Sequence, residues 1–502
     1  MRWAAALVVF VYVFAFPYHP GLRSPNELSR LWQARAVVDF HTLSLNETLH
    51  RDGRVGDLSV KDGVFYPSKA PLVSMLAVPV YAVLKARAGA ASAVRETELV
   101  YWARLWILVL PTLAFGFAFR RFLVRIAGEK SANVAWLTAM LGSLGFSYAL
   151  LFMSHQLAAV LLGGSLLLLK PAEPSASLSR LNAVGAGLLA ALAITAEYTA
   201  ALGAVCLMVY GFLRSPHPER ASRLGWAVLG AALPLALLAA YHQACFGHPL
   251  ESGYRYLADA AYQPWHHGGF LGIRFPDARA FLLSFFSPLR GLFALCPFLL
   301  LAFFGLAPLQ RTNRPLYWLS LIAIFGYGYF TSAFAYDSWG WTTGPRHLTP
   351  LVVFLLVPAT LGLARAWEKG PLWAGIAVGS AASSVLITGL LSLLNYIPDS
   401  VSNGFFALVV PLWRAAYWPP TAISALAAPA TLPPLGIALG AAIVVAALHV
   451  IRLSALPVRG TVVCALTIAG LCFGHAASTR HDVADQRALQ LLKSVWLIQP
   501  GV

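Results

Sequence analysis

Two carboxylates, Glu27 and Asp57, and two cations, Lys69 and Arg346, stand in short polar stretches of a chain otherwise dominated by long apolar runs. A carboxylate at a membrane surface can act as a general base. Lys or Arg at the depth of lipid headgroups can hold a phosphate, Arg through two parallel hydrogen bonds. Each position also has a plainer reading. Ser24-Pro25-Asn26-Glu27 is spaced as a capping box, with Ser24 as N-cap and Pro25 opening the helix, so Glu27 could serve only backbone N–H groups. Asp57 could close an Asx turn. Lys69 could merely anchor the proline-led helix that follows it. Arg346 opens an apolar run after Trp339 and Trp341 and could belong to an aromatic belt. Arg290, in Ser287-Pro288-Leu289-Arg290-Gly291, repeats the pattern of an arginine at a helix entrance and is a further phosphate candidate. His155 and Glu197 interrupt apolar runs; they are either turn residues or, as ionisable groups at the membrane, sugar contacts. Trp265-His266-His267 is a weak metal motif, because adjacent histidines point in different directions on most backbones. No Asp-x-Asp motif holds a metal and nucleotide sugar, so a divalent metal is compatible with the sequence but no ligands are assigned to it.

Positioning these groups requires a scaffold, and composition says which kind. Of 502 residues, 59% are apolar and 11% charged, about half the charged share usual for a soluble domain. The formal charge of +16 comes from basic residues scattered between apolar segments, which points to a bilayer and away from nucleic acid. The five cysteines show no CxxC spacing, so neither a disulfide framework nor a zinc site is expected. Residues 1–17 are read as a retained first helix, because no small-residue cleavage site follows them.

Two uncharged runs set the topology. Residues 131–169 would make a single helix of about 60 Å, twice a bilayer's hydrocarbon thickness, so they form a hairpin with His155 near its apex. Residues 181–213 repeat the arrangement, uncharged but for Glu197, which stands at the second apex. The connections between the hairpins are basic and hence inner, which turns both apices outward. The expectation is an all-α polytopic membrane protein of about 13 transmembrane helices, N-terminus in and C-terminus out. A long outer loop, 18–97, holds an interfacial helix at 71–85, too short to span comfortably. Helices 2–7 occupy 98–243, an outer loop 244–287, and helices 8–13 residues 288–477, with outer loops 335–346 and 395–430. An amphipathic tail, 478–502, lies on the outer surface. Most carboxylates fall on the outer side, and chemistry is expected there.

A short first helix, an acidic residue just after it, then Gly63…Tyr66-x-x-Lys69-Ala70-Pro71-Leu72 leading into an interfacial helix, resembles the GT-C superfamily of lipid-linked glycosyltransferases. Within it, the pattern is similar to the bacterial branch related to protein O-mannosyltransferases and the lipid A aminoarabinose transferase. Trp339-Gly340-Trp341…Gly344-Pro345-Arg346-His347-Leu348-Thr349-Pro350 resembles a second segment of related enzymes. The resemblance implies transfer of a sugar from a polyprenyl phosphate to a lipid, glycan or protein acceptor, with inversion, on the outer face of a bacterial inner membrane. Lys69, Arg346 and Arg290 would meet the donor phosphate; Asn26, Tyr66, His155, Glu197 and Trp339 would contact substrate. Family members usually carry Asp-Glu where this chain has Asn26-Glu27, so the base would be Glu27 or Asp57. An O-antigen ligase or polymerase would use a diphosphate donor, and a transporter or flippase would want ionisable groups at the midplane and an internal repeat.

Overall fold

The computed structural model describes residues 1–18, 24–89, 93–169, 173, 178–269, 272–334, 340–427 and 433–495. Helix α1 (Arg2–Phe14) leads to α2 (Pro25–Phe40), α3 (Asn46–Asp52), a hairpin of β1 (Leu58–Lys61) and β2 (Val64–Pro67), and α4 (Leu72–Ala88). The membrane bundle follows. Helix α5 (Glu96–Arg104) runs through a π turn into α6 (Leu110–Leu141), then come α7 (Leu144–Ala149), α8 (Ser154–Leu168), α9 (Arg180–Ala196), α10 (Ala201–Arg214) and α11 (Arg220–Phe246). Next are α12 (Gln263–His267), α13 (Ala278–Phe286), α14 (Leu292–Leu295), α15 (Leu301–Thr312), α16 (Arg314–Ala333), α17 (Thr349–Glu368) and α18 (Pro371–Leu394). The chain closes with α19 (Val410–Arg414), α20 (Ala422–Leu426), α21 (Pro433–Ser454), α22 (Val458–Ala477) and α23 (Val483–Val495).

Among the described residues, seven helical segments are long and apolar enough to cross a bilayer and five shorter apolar helices accompany them. The long run at α6 bends at Gly128, whose φ of 76° only glycine adopts without strain, within the predicted inner basic connection. Both predicted apices are breaks: residues 142–153 separate α6 from α8, placing His155 in the first turn of α8, and Glu197 separates α9 from α10.

Helices α17 and α18 form the centre, with 94% and 89% of their apolar windows buried, whereas α11 and α22 are 22% and 17% buried and show bare apolar faces such as Val228, Leu233 and Leu466. Bare aliphatic surface of that extent belongs against lipid. Lipid gives no hydrophobic drive between helices, so close packing must supply it, and small residues permit that packing. A Cβ on Gly187 would sit 1.8 Å from the Ala227 carbonyl oxygen, and one on Gly230 would sit 1.9 Å from that of Val184, which locks α9 against α11. Gly305 and Gly362 do the same for α15 and α17, at 1.7 Å from the Pro358 oxygen and 2.1 Å from the Leu301 oxygen.

The segment between α1 and α5 is a compact unit rather than a string of loops. Asp62 and Gly63 both take positive φ, 51° and 78°, the left-handed pair a two-residue hairpin turn requires. Helix α4 packs on α2, and Asp39 of α2 accepts hydrogen bonds from Lys85 (2.6 Å), Tyr81 (2.9 Å) and Arg51 (2.8 Å). The capping box that the spacing of Ser24 and Glu27 allows does not form. Ser24 is the N-cap and Pro25 opens α2, but the Ser24 side chain makes no cap bond to the backbone; it hydrogen-bonds the buried Glu27 carboxylate instead.

Candidate active site

A cavity of about 570 Å³ opens where α2, the β hairpin, the segment after α11 and the segment before α17 converge. Lys69 and Arg346, nearly three hundred residues apart in sequence, both line it, with Asn26, Asp57, His155 and Glu197. Asp57 precedes β1 in a left-handed conformation, φ 58°, and makes no Asx turn; its main-chain oxygen accepts from the Ser68 N–H at 3.1 Å, which brings Lys69 alongside. The Lys69 Nζ then donates to Asp57 Oδ1 at 3.0 Å and lies 4.9 Å from the centre of the Tyr254 ring. Burial pushes the Asp57 carboxyl up, but the charges of Lys69 and Arg346, the hydrogen bond from Lys69 and the charge of Arg30 outweigh it and hold Asp57 below the usual carboxylate range.

Asn26 faces the cavity and accepts the Arg30 Nε–H at 3.1 Å, one helical turn along α2. Arg30 is fully buried; its other nitrogens donate to the Ala70 carbonyl at 3.1 Å and Ser154 Oγ at 3.0 Å. Ser154 in turn donates to Glu197 Oε2 at 2.6 Å. Nδ1 of His155 lies 3.5 Å from the same carboxylate, and the His155 ring meets His347 edge-to-face at 5.0 Å. Thr199 spans Glu197 and His347, at 3.4 and 3.5 Å.

Three expected site residues lie elsewhere. Glu27 has no exposed surface and does not line the cavity; it accepts from Tyr18, from the Phe152 N–H at 2.6 Å and from Tyr396 at 3.1 Å, tying α2 to the turn before α8 and to the segment after α18. Burial, the largest influence, raises its carboxyl above the usual range, only partly opposed by these donors. Tyr66 is on the hairpin face that packs against Phe246, rings 5.6 Å apart, in a separate aromatic cluster with Tyr241 and Tyr256. Arg290 donates to the Gly340 carbonyl at 2.9 Å and fastens the segment carrying Arg346 without itself lining the cavity. Trp339 lies outside the described residues, while its neighbours Gly340 and Trp341 line the cavity.

Of the aromatic wall, the sequence singles out Trp265 and His266 only as a weak metal motif, and Tyr254 and Tyr262 not at all. Tyr254, Tyr262, Trp265 and His266 come from the segment after α11, which the Ser59 hydroxyl bond to the Gly253 carbonyl, 2.6 Å, and the Ala258 N–H bond to Leu58, 2.9 Å, tie to β1. His266 stacks on Tyr254 at 4.1 Å, and burial, with the nearby Lys69 charge, pushes it down to about 4. Leu491 and Leu492 of α23 close another side; Asp485 holds that helix through Ser402, whose N–H and hydroxyl lie 2.8 and 2.6 Å from it. The richness of Tyr, Trp and His in 244–287 was the available signal for this wall.

No family description and no curated protein matches the chain. Among solved structures, it is similar to ArnT from Cupriavidus metallidurans bound to undecaprenyl phosphate, at 15% identity and a TM-score of 0.51 over 93% of this chain and 76% of that one. Apo ArnT gives 17% identity and a TM-score of 0.49 over the same shares. An oligosaccharyltransferase from Archaeoglobus fulgidus is more distant, at 12% identity and 0.40 over 93% of this chain and 55% of that one. Helical content, the bundle of membrane-length helices and this likeness agree on the architecture: the chain has the GT-C fold.

Proposed function

We propose that the protein is a membrane glycosyltransferase that moves a sugar from a polyprenyl phosphate to the hydroxyl of a lipid, glycan or protein acceptor, at the outer face of a bacterial inner membrane. The observation that carries this reading is the convergence of Lys69, Arg346 and Asp57 on one cavity whose other walls are aromatic. Two cations suit a phosphate leaving group, and aromatic faces suit a sugar. The likeness to a protein solved with undecaprenyl phosphate supports the lipid donor.

Asp57 is the proposed base, since Glu27 is sealed behind the cavity. In the free protein Lys69 is spent on Asp57. When a donor phosphate takes Lys69, the carboxylate loses its strongest partner and becomes more basic where a proton must be removed. The acceptor oxygen then attacks the anomeric carbon, its proton passes to Asp57, and the bond to the phosphate oxygen breaks toward Lys69 and Arg346. Direct displacement inverts the anomeric centre. Helix α4 is proposed to lie in the interface, consistent with the polar knot of Asp39, Arg51 and Lys85 at one end of it. The deciding experiment is turnover of a panel of polyprenyl phosphate sugars by purified protein: release of polyprenyl phosphate from one of them supports the reading, and inertness toward all of them with a folded protein rejects it.

A further inference from the structure

His155, Glu197 and His347 come from three separate helix ends, yet their ligand atoms lie within 4.8 Å of one another, and all three residues are buried. We propose that these three side chains form a zinc site. Two ligands of a tetrahedral zinc, each at ~2.0–2.1 Å, stand about 3.4 Å apart, and His155 Nδ1 and Glu197 Oε2 are 3.5 Å apart. Neither ring nitrogen of His155 has a hydrogen-bond partner although the residue is 1% exposed, so a buried donor and acceptor are left for a ligand to satisfy. The carboxylate is oriented from behind, Arg30 donating to Ser154 and Ser154 to Glu197, as the outer partners of metal-binding carboxylates do.

Two imidazoles and a carboxylate are the donor set of zinc sites that keep a fourth position open. The three residues line the cavity together with Lys69 and Arg346, so a zinc held by them would be reachable from it. The charges of Arg30, Lys69 and Arg346 oppose a divalent ion, and Asp57 and Glu197 offset them in part. This site stands apart from the transfer reaction proposed above, because its test needs no donor and no turnover.

The test is titration of chelator-stripped, tag-free protein in detergent with Zn²⁺ against a chromophoric competing chelator. One equivalent is expected to bind at submicromolar concentration, with affinity lowered at least tenfold in Glu197→Gln and in His155→Asn, and unchanged in His266→Ala, which alters the cavity wall outside the trio. Glu197→Gln keeps the shape of the side chain, and a normal elution profile shows that it is folded. Zinc should raise the melting temperature of the wild-type protein and not of Glu197→Gln. Binding below one equivalent at micromolar zinc, equal binding by wild type and Glu197→Gln, or displacement of zinc by equimolar Mg²⁺ would overturn the assignment.

Discussion

Replacing Glu27 separates a structural carboxylate from a catalytic one. The side chain is fully buried and takes hydrogen bonds from Tyr18, Tyr396 and the Phe152 N–H. In Glu27→Ala the Phe152 N–H keeps a partner, since it also lies 2.6 Å from the Tyr18 hydroxyl oxygen, but the buried Tyr18 O–H loses the acceptor it donates to and Tyr396 loses one of its contacts. At roughly 1–3 kcal/mol for that unsatisfied O–H, with the cavity left by the carboxylate in addition, the loss is a sizeable share of a typical stability of about 5–15 kcal/mol. Glu27→Gln keeps an acceptor oxygen for Phe152 and Tyr18, and its amide can donate to Tyr396, so the fold is retained. Burial raises the folded carboxyl's pKa, so its contribution to stability is complete below the ordinary value of about 4.3 and is lost as pH rises through the raised folded value. Glu27→Gln should abolish that slope. The assays are thermal unfolding in detergent across pH 4–8, as a rough range around the ordinary glutamate value, and turnover with a polyprenyl phosphate sugar. Expected are a steep loss of folded protein for Glu27→Ala and turnover within a few-fold of wild type for Glu27→Gln. A folded Glu27→Gln protein slowed by about 10²-fold or more, the usual cost of a missing base, would refute the assignment of Glu27 to structure.

Asp57→Asn should lower kcat by about 10²–10⁴-fold with little change in KM, whereas Lys69→Ala and Arg346→Ala should weaken donor binding as well; steady-state kinetics on the three variants checks the split. Asp57 is held below the usual carboxylate range, so its stabilising pairing with Lys69 is present above about pH 4 and fades as pH falls through the lower folded value; acid unfolding of Asp57→Asn should show a shallower loss there. Gly187→Ala sets a methyl 1.8 Å from the Ala227 oxygen, so α9 and α11 must separate, at a cost of about 1–3 kcal/mol or more; a melting temperature equal to wild type would contradict the packing. If α4 lies in the outer interface, Ala88→Cys in intact cells should react with an impermeant thiol reagent, and protection until permeabilisation would show that α4 crosses.

What could be read from the sequence followed short-range rules. Asp62-Gly63 named its turn because both residues tolerate positive φ, and the uncharged runs had to fold back because a bilayer is thin. Lys69 and Arg346 stood out because cations beside apolar runs need a reason. The rest depended on partners far along the chain. Ser24 to Glu27 carried every local mark of a capping box, but Tyr18, Phe152 and Tyr396, which lie outside that stretch, draw the carboxylate inward. Arg30 looked like an ordinary helical residue until Ala70 and Ser154 closed around it. Tyr66 faces Phe246 because of the strand's alternation, which the motif spacing did not report. His347 was read only as a letter in a motif, since nothing local ties it to His155 and Glu197.

The glycine contacts that join α9 to α11 and α15 to α17 also divide the chain by how freely it can change. At each crossing a single added methyl meets backbone, so neither helix can drift without the other, and the bundle tolerates little variation there. The Tyr254 to His266 wall hangs from β1 by a hydroxyl bond and a main-chain bond and contributes no helix to the bundle. New residues in that wall alter what the cavity accepts while leaving the scaffold and the Lys69–Asp57 pair in place. Substrate range can therefore diverge among proteins of this architecture faster than their helices do.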